Sequence, residues 1–337
     1  MVYTRTSFRI RHIGERDDIM ENTATFRKKG AKARKKKSGS RLGESRFLGF
    51  WYVLPWLIGF LAFTLYPFAY SFILSFTKFD FSSAPKWLGL RNYVRLFSDP
   101  VFKQSLTVTF VYVVNEVPLK IVFSLLIAVI LNMKLRGINF FRTAYYIPSI
   151  LGSNVAIAVL WKFIFQSDGL ANQVIQAFGG QPVSWFGDSY PALMTIVLLR
   201  VWEFGSTMVI FLAGLQSIPT ELYEAASVDG CTKFRQFFKI TIPLLSPTIF
   251  YNLVMQLIAA FQEFNGPYLI TKGGPQNGTY LLPMLIYDET FHSYKMGYAA
   301  AMSWILFIII LIFTVLVFRY SKYWVFYSDE GKKDGNA

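Results

Sequence analysis

Residues 221–245 read ELYEAASVDGCTKFRQFFKITIPLL, a charged, glycine-containing amphipathic stretch ending near a proline and standing between two long apolar runs. Just upstream, Pro219 restricts the backbone of Ile218 and helps to close the preceding run. Thr220 then stands where the N-cap of a new short helix is expected. Tyr223 occupies the third helical position, so there is no full capping box, but Glu221 and Glu224 suit the positive end of the helix dipole. Leu222, Ala225 and Ala226 can share one face, and Gly230 permits a turn that a side chain would obstruct. Beyond it Phe234, Phe237 and Phe238 recur at helical spacing. That spacing predicts a second short helix lying in a membrane interface, with Pro243 and Pro247 marking re-entry into the bilayer.

The rest of the chain supplies the membrane. Of its 337 residues 53% are hydrophobic and 16% charged, against about 25% charged in an ordinary soluble domain. Apolar stretches at 48–76, 105–133, 144–165, 190–215, 244–270 and 297–318 each exceed the roughly 20 residues that cross a bilayer as a helix. Six spans are therefore expected. The first 46 residues carry 14 of the 34 Lys and Arg against five acids. KLRG at 134–137 with Arg142, then Lys233, Arg235 and Lys239, then Arg319 and Lys322, continue the bias, so both termini are expected in the cytoplasm. The loop at 166–189 has no Lys or Arg, as an outer loop should, whereas the loop at 77–104 has five and is discordant.

Several function classes drop out. The run RKKGAKARKKKSGSR at 27–41 lacks interleaved aromatics and precedes a span, which favours topology and anionic-lipid contact over nucleic acid. The first apolar run begins too late and is too long for a signal peptide, so an uncleaved anchor is expected. Cys231 is the only cysteine and His12 and His292 the only histidines, which excludes an internal disulfide and leaves no zinc cluster. No G-x-x-x-x-G-K-[ST], G-x-S-x-G or H-E-x-x-H occurs, so neither a nucleotide-cradling loop nor a recognisable catalytic centre is visible.

At this point the chain resembles a known family. Glu224, Ala225 and Ala226, then Gly230 after three residues, then Ile240, Ile242 and Pro243 match the EAA signature of bacterial ABC importer permeases, E-A-A-x3-G-x9-I-x-L-P, with Ile242 for Leu as the one departure. The likeness covers about residues 47–327. RGINFFRTAYYIPSILGSNVAIAVLWKFIF at 136–165, SIPTELYEAASVDG at 217–230 and TKGGPQNGT from 271 are similar to the carbohydrate-uptake branch, and to the first of its two permease subunits. The resemblance implies an all-α type I importer permease of six transmembrane helices in the bacterial plasma (inner) membrane. Its divisions are a basic, mostly disordered tail (1–46), the first transmembrane helix and outer loop (47–104), a core permease domain (105–327) holding the coupling loop (216–243), and a C-terminal tail (328–337). Unlike the enterobacterial maltose permease, the chain has no large outer insertion and six expected spans rather than eight.

The implied partners are a second homologous permease, an ATPase dimer that binds ATP and Mg, and an extracytoplasmic sugar-binding protein. This chain is expected to hold no cofactor and to hydrolyse nothing itself. In such a loop Glu224 would meet a basic group of the ATPase, Ala225 and Ala226 would permit close approach, and Gly230 would make the turn, with Asp229, Ile240 and Pro243 completing the contact.

Ionisable residues inside spans are candidates for a substrate path. Glu116 with Lys120 and Arg200 with Glu203 stand at helical spacing, so each pair can neutralise itself. Gln262, Glu263, Asn265 and Tyr268 differ: they offer hydroxyl-bonding groups beside a ring, with no cation among them. A sugar site and the lining of a watery vestibule both fit such a set. Asn277-Gly278 is expected to be a turn in the outer loop. A permease of the same type for a non-sugar solute remains open. A secondary transporter would need no EAA loop, and no inverted pair of broken helices is evident.

Overall fold

A computed structural model describes residues 46–133, 137–152 and 154–326. The expected basic tail, apart from Arg46, the stretch Lys134, Leu135 and Arg136 that was expected to face inward, and the tail 328–337 lie outside the described residues. The chain divides into two units, Met1–Pro67 and Phe68–Ala337.

The described part of the first unit contains α1 (Arg46–Phe60) and a π-helical turn, Leu61–Leu65. Between residues 50 and 67 no side chain is buried. Trp51, Trp56 and Phe63 are largely exposed, as expected of a helix whose solvent is lipid.

Helix α2 (Tyr66–Ser75), whose residues from Phe68 onward belong to the second unit, leads to a short hairpin of β1 (Thr77–Lys78) and β2 (Lys86–Trp87), then α3 (Arg91–Ser98). The hairpin is held by one polar side chain: buried Asn92 donates to the carbonyls of Ser75 and Thr77 at 2.8 and 2.9 Å. Arg95, one of the five cations that made this loop discordant, stacks 4.5 Å over the ring of Tyr298. Tyr298 in turn donates to Asp99 at 2.7 Å. Burial pushes the Asp99 carboxyl up, but the bonds from Tyr298 and from the N–H groups of Val101 and Phe102 outweigh it and hold it below the usual carboxylate value. Those two N–H groups open α4 (Pro100–Leu131), so Asp99 is its N-cap and Pro100 its first residue.

The 32-residue α4 is the centre of the unit. It packs against α8 (Ser189–Trp202), α9 (Gly205–Gln216), α12 (Ile242–Phe261) and α14 (Leu282–Phe291). Tyr112, Val113 and Val117 meet Leu193, Ile196 and Val197 of α8 and Leu257 and Phe261 of α12 in one cluster, joined by Met302 and Leu306 of α15 (Met296–Ser321). Further along α4, Ala128 and Leu131 meet Met208, Phe211 and Leu215 of α9.

Among the described residues four helices are long and apolar enough to cross a membrane: Phe50–Ser75, Pro100–Leu131, Lys233–Phe261 and Met296–Ser321. The stretches at 144–165 and 190–215, expected as single spans, are instead bent pairs. The first is α5 (Ile138–Leu151) with α6 (Val155–Phe165), broken at Gly152, which takes φ +52°. Asn154 caps α6 through the Ala156 N–H at 2.7 Å. The second, α8 with α9, bends by 45° at Glu203 and Phe204. Ser149 satisfies that bend, donating to the Glu203 carbonyl at 3.1 Å and accepting from the Ser206 N–H at 3.0 Å. The stretch at 244–270 also ends early: α12 stops at Phe261, and α13 (Asn265–Ile270) follows a break. Up to six spans result if each bent pair counts as one.

The segment 166–189 carries α7 (Leu170–Ala177) and is gathered by buried Asn172, which bonds the backbone of Ser167 and Val183 and the indole of Trp185. The expected turn at Asn277-Gly278 is present: Gln276 and Asn277 both have positive φ, and the Gly278 N–H reaches the Pro275 carbonyl at 2.7 Å.

Helices α9 and α12 approach closely at Gly214, where an added Cβ would lie 2.7 Å from both Leu245 Cδ1 and Thr248 Oγ1. Gly214→Leu is expected to cost about 1–3 kcal/mol through overpacking, read as a lower Tm in detergent. Gly59→Leu is the control, because nothing lies within 4 Å of its Cβ position. Equal Tm values for the two variants would contradict the close approach.

Candidate functional site

The segment that decided the fold forms two short helices, α10 (Thr220–Val228) and α11 (Lys233–Gln236). Thr220 is not the cap. Pro219 precedes the helix with φ −58° and ψ 133°, and Thr220 is the first helical residue, without a capping bond. A proline already fixed near helical φ starts the helix without a side-chain acceptor. Glu221 lies in the first turn, as expected. At the other end Gly230 takes φ +74°, its N–H bonds to the Ser227 carbonyl at 3.1 Å, and the Cys231 N–H bonds to the Ala226 carbonyl at 2.9 Å. This pair of bonds closes a helix around a left-handed residue, which is why glycine stands there.

Thr232 caps α11 through the Arg235 N–H. The second short helix, expected to lie in the membrane interface, is continuous with α12, over Lys233–Phe261. A π-helical turn, Phe237–Thr241, joins them just before Pro243. The wider turn makes room for a proline ring that an α-helical carbonyl four residues back would obstruct. Pro243 and Pro247 therefore sit within one continuous helix.

Gln236 and Thr241, which sequence reasoning missed, fasten the loop. Buried Gln236 places Nε2 at 2.9 Å from Ser227 Oγ, 3.2 Å from the Cys231 carbonyl and 3.4 Å from the Tyr223 carbonyl. Tyr223 Oη meets Thr241 Oγ1 at 2.9 Å. Outside this seam α10 buries nothing. Glu224, Ala225, Asp229 and Gly230 are exposed, and Ala226, Ile240 and Pro243 are half-buried. Leu222, Val228, Phe234 and Phe238 are exposed nearby, Val228 at 89%. The result is a rigid helical tip with an uncovered apolar surface and carboxylates beside it.

The four polar candidates for a substrate path do not share one helix. Gln262 ends α12, Glu263 lies in the break, and Asn265 and Tyr268 are on α13. Glu263 is not free of cations as expected: its two oxygens lie 2.7 and 2.6 Å from Arg200 Nη2, which α8 brings from 63 residues away. Arg200 also pairs with Glu203 at 2.6 Å, and Lys120 pairs with Glu116 at 3.6 Å, as their spacing predicted. Tyr268 is half-buried and stacks on Phe264 at 4.9 Å, with Tyr287 of α14 at 5.5 Å. Asn265 is exposed and, with Gly266 and Leu269, lines a shallow cleft opposite Asn154, Ile157 and Ala158 of the α5–α6 break. The readable sign of that opposite wall was Asn154 ahead of an apolar run, an N-cap signal inside an expected span.

Residues 102–324 match the family described as binding-protein-dependent transport system inner membrane component. The chain belongs to this family. The permease is 46% identical over 305 residues to the probable ABC transporter permease protein YesP of Bacillus subtilis (strain 168), covering 89% of this chain and 98% of that one. It is 35% identical over 277 residues to the lactose transport system permease protein LacF of Rhizobium radiobacter, covering 80% and 92%. A chain of the bacterial alginate ABC transporter in complex with alginate pentasaccharide-bound periplasmic protein shares the fold, with a TM-score of 0.71 at 21% identity over 82% of this chain and 94% of that one. With its several apolar helices, the permease is a multi-pass membrane protein.

If Gln236 fastens the tip, Gln236→Ala loosens it. Losing one net hydrogen bond, worth about 1 kcal/mol, should raise hydrogen exchange of the amides at 225–231 several-fold while leaving α12 protected. Unchanged exchange there would remove Gln236 from the seam.

Proposed function

We propose that the permease forms half of the translocation pathway of an ATP-driven importer for a sugar or oligosaccharide. The solute is delivered by an extracytoplasmic binding protein, and loop 216–243 docks on a separate ATPase. The observation that carries this reading is the tip of α10 and α11: nothing in α10 is buried, yet its backbone is locked by Gly230, Gln236 and Tyr223. A bistable membrane domain needs such a stiff element, with contacts that differ between its states. In this reading Glu224 meets a basic group of the ATPase, Ala225 and Ala226 allow close approach, and Leu222, Val228 and Phe234 fill an apolar cleft.

The sugar assignment draws support from a relative named for lactose transport and from the alginate importer's shared fold. Gln262, Asn265 and Tyr268 are the residues of this chain proposed for the path, with Asn265 at the cleft. Six spans are proposed, four unbroken and two bent, with both termini in the cytoplasm and the protein in a bacterial inner membrane. The division into tail 1–46, first span and outer loop 47–104, core 105–327 and tail 328–337 follows from that arrangement. A second permease, an ATPase dimer holding ATP and Mg, and anionic lipid at the basic tail complete the assembly.

Glu224 is exposed, so replacing it should leave folding nearly unchanged, within about 0.5 kcal/mol. Glu224→Lys in the complete transporter is expected to give normal assembly with loss of ATP-driven uptake. Wild-type uptake by a well-expressed Glu224→Lys variant would count strongly against docking through this loop.

A further inference from the structure

The two helices that leave the loop are tied together along their length. Within the loop, Tyr223 of α10 meets Thr241 of the π-helical turn that leads into α12 at 2.9 Å. Further along, Gly214 of α9 lets Leu245 and Thr248 of α12 approach closely. Near the middle, Gln256 Nε2 donates to Thr207 Oγ1 at 3.0 Å. At the far end Arg200, on α8, joins Glu203, in the bend just before α9, to Glu263, just past the end of α12.

These three side chains are only 13%, 9% and 7% exposed. Glu263 Oε1 also accepts the Gly266 N–H at 2.8 Å, inside the first turn of α13, which carries Asn265. Gly266 is pressed against Ile196 of α8, its Cβ position lying 3.1 Å from Ile196 Cγ2. A guanidinium holding two buried carboxylates resists separation, because parting either pair leaves a desolvated charge without its partner.

We propose that Arg200 is a positioning residue of the transport cycle. It locks the far ends of α9 and α12, so that the loop, both helices and the first turn of α13 move as one body. Displacement at the loop then arrives at Asn265 instead of being lost as shear between the two helices. The proposal rests on the reading of the loop as the ATPase contact.

The test uses the complete transporter in proteoliposomes. Arg200→Gln should retain ATP turnover stimulated by loaded binding protein, while solute moved per ATP falls about tenfold, a loss typical of a coupling free energy. A short bis-methanethiosulfonate bridge between Thr207→Cys and Gln256→Cys, in a Cys231→Ser background, should restore the ratio, and reductant should abolish the rescue. If Arg200→Gln fails to assemble, Glu263→Gln, isosteric and still able to accept from Gly266, carries the same expectation. A wild-type ratio in the assembled variant overturns the proposal. So does a parallel loss of turnover and uptake that the bridge cannot restore. If instead Glu224→Lys leaves uptake normal, the loop reading fails, whatever Arg200 does.

Discussion

The contact on which the described fold depends is that of one guanidinium with two carboxylates, Arg200 with Glu203 and Glu263 at 2.6 Å each. Inside a bilayer a continuous helix satisfies its own backbone, whereas each break leaves polar groups that cost several kcal/mol if unmet. This chain breaks three of its apolar stretches, and described side chains meet the need at each. Ser149 serves the bend at Glu203, Asn154 opens α6, and Glu263 caps α13 at Gly266. Removing one partner from a buried ion pair costs about 3–5 kcal/mol, more than the about 1 kcal/mol of a typical hydrogen bond. Glu263 combines both kinds of contact at one break, so it outweighs the hydroxyl and amide caps.

The segments outside the apolar helices follow the same economy of single polar hubs. Asn92 holds the first hairpin, Asn172 gathers the segment at 166–189, and Asp99 caps α4 while receiving Tyr298. The turn at Pro275–Gly278 is tied back to α4 by Gln104 and to α8 by Ser189. These hubs make the connecting segments rigid without large cores of their own. The tip of α10 and α11 is built likewise, with Gln236 in the hub's place and an apolar surface left uncovered. An element that is stiff yet exposed is suited to carrying force between subunits.

Local chemistry was legible in the sequence, and long-range chemistry was not. The helix–turn–helix around Gly230, the Asn277-Gly278 turn and the two same-helix ion pairs all depend on residues a few positions apart, and each is present. Hydropathy found the apolar stretches but not their breaks, because Gly152, Glu203 and Gln262 hardly change a 20-residue average. What stabilises each break lies far off in sequence: Ser149 is 54 residues from Glu203, and Arg200 is 63 from Glu263. Glu263 therefore read as having no cation beside it, when its partner Arg200 stands on another helix. Thr220 was misjudged for a different reason: propensity assigns a cap to threonine, while here Pro219 opens α10 and Thr220 is its first helical residue.

The central claim is that the tip of α10 and α11 faces the cytoplasm and is covered by an ATPase. Cys231, the only cysteine, follows Gly230 in that tip and is half-buried. Because a thiol packed among neighbours reacts slowly in any case, the informative quantity is a ratio of labelling rates with and without the partner. A membrane-impermeant maleimide should label Cys231 in inside-out vesicles stripped of the ATPase and not in intact cells, and adding the ATPase back should slow the reaction. Labelling of intact cells, or a rate that the ATPase leaves unchanged, would contradict the account.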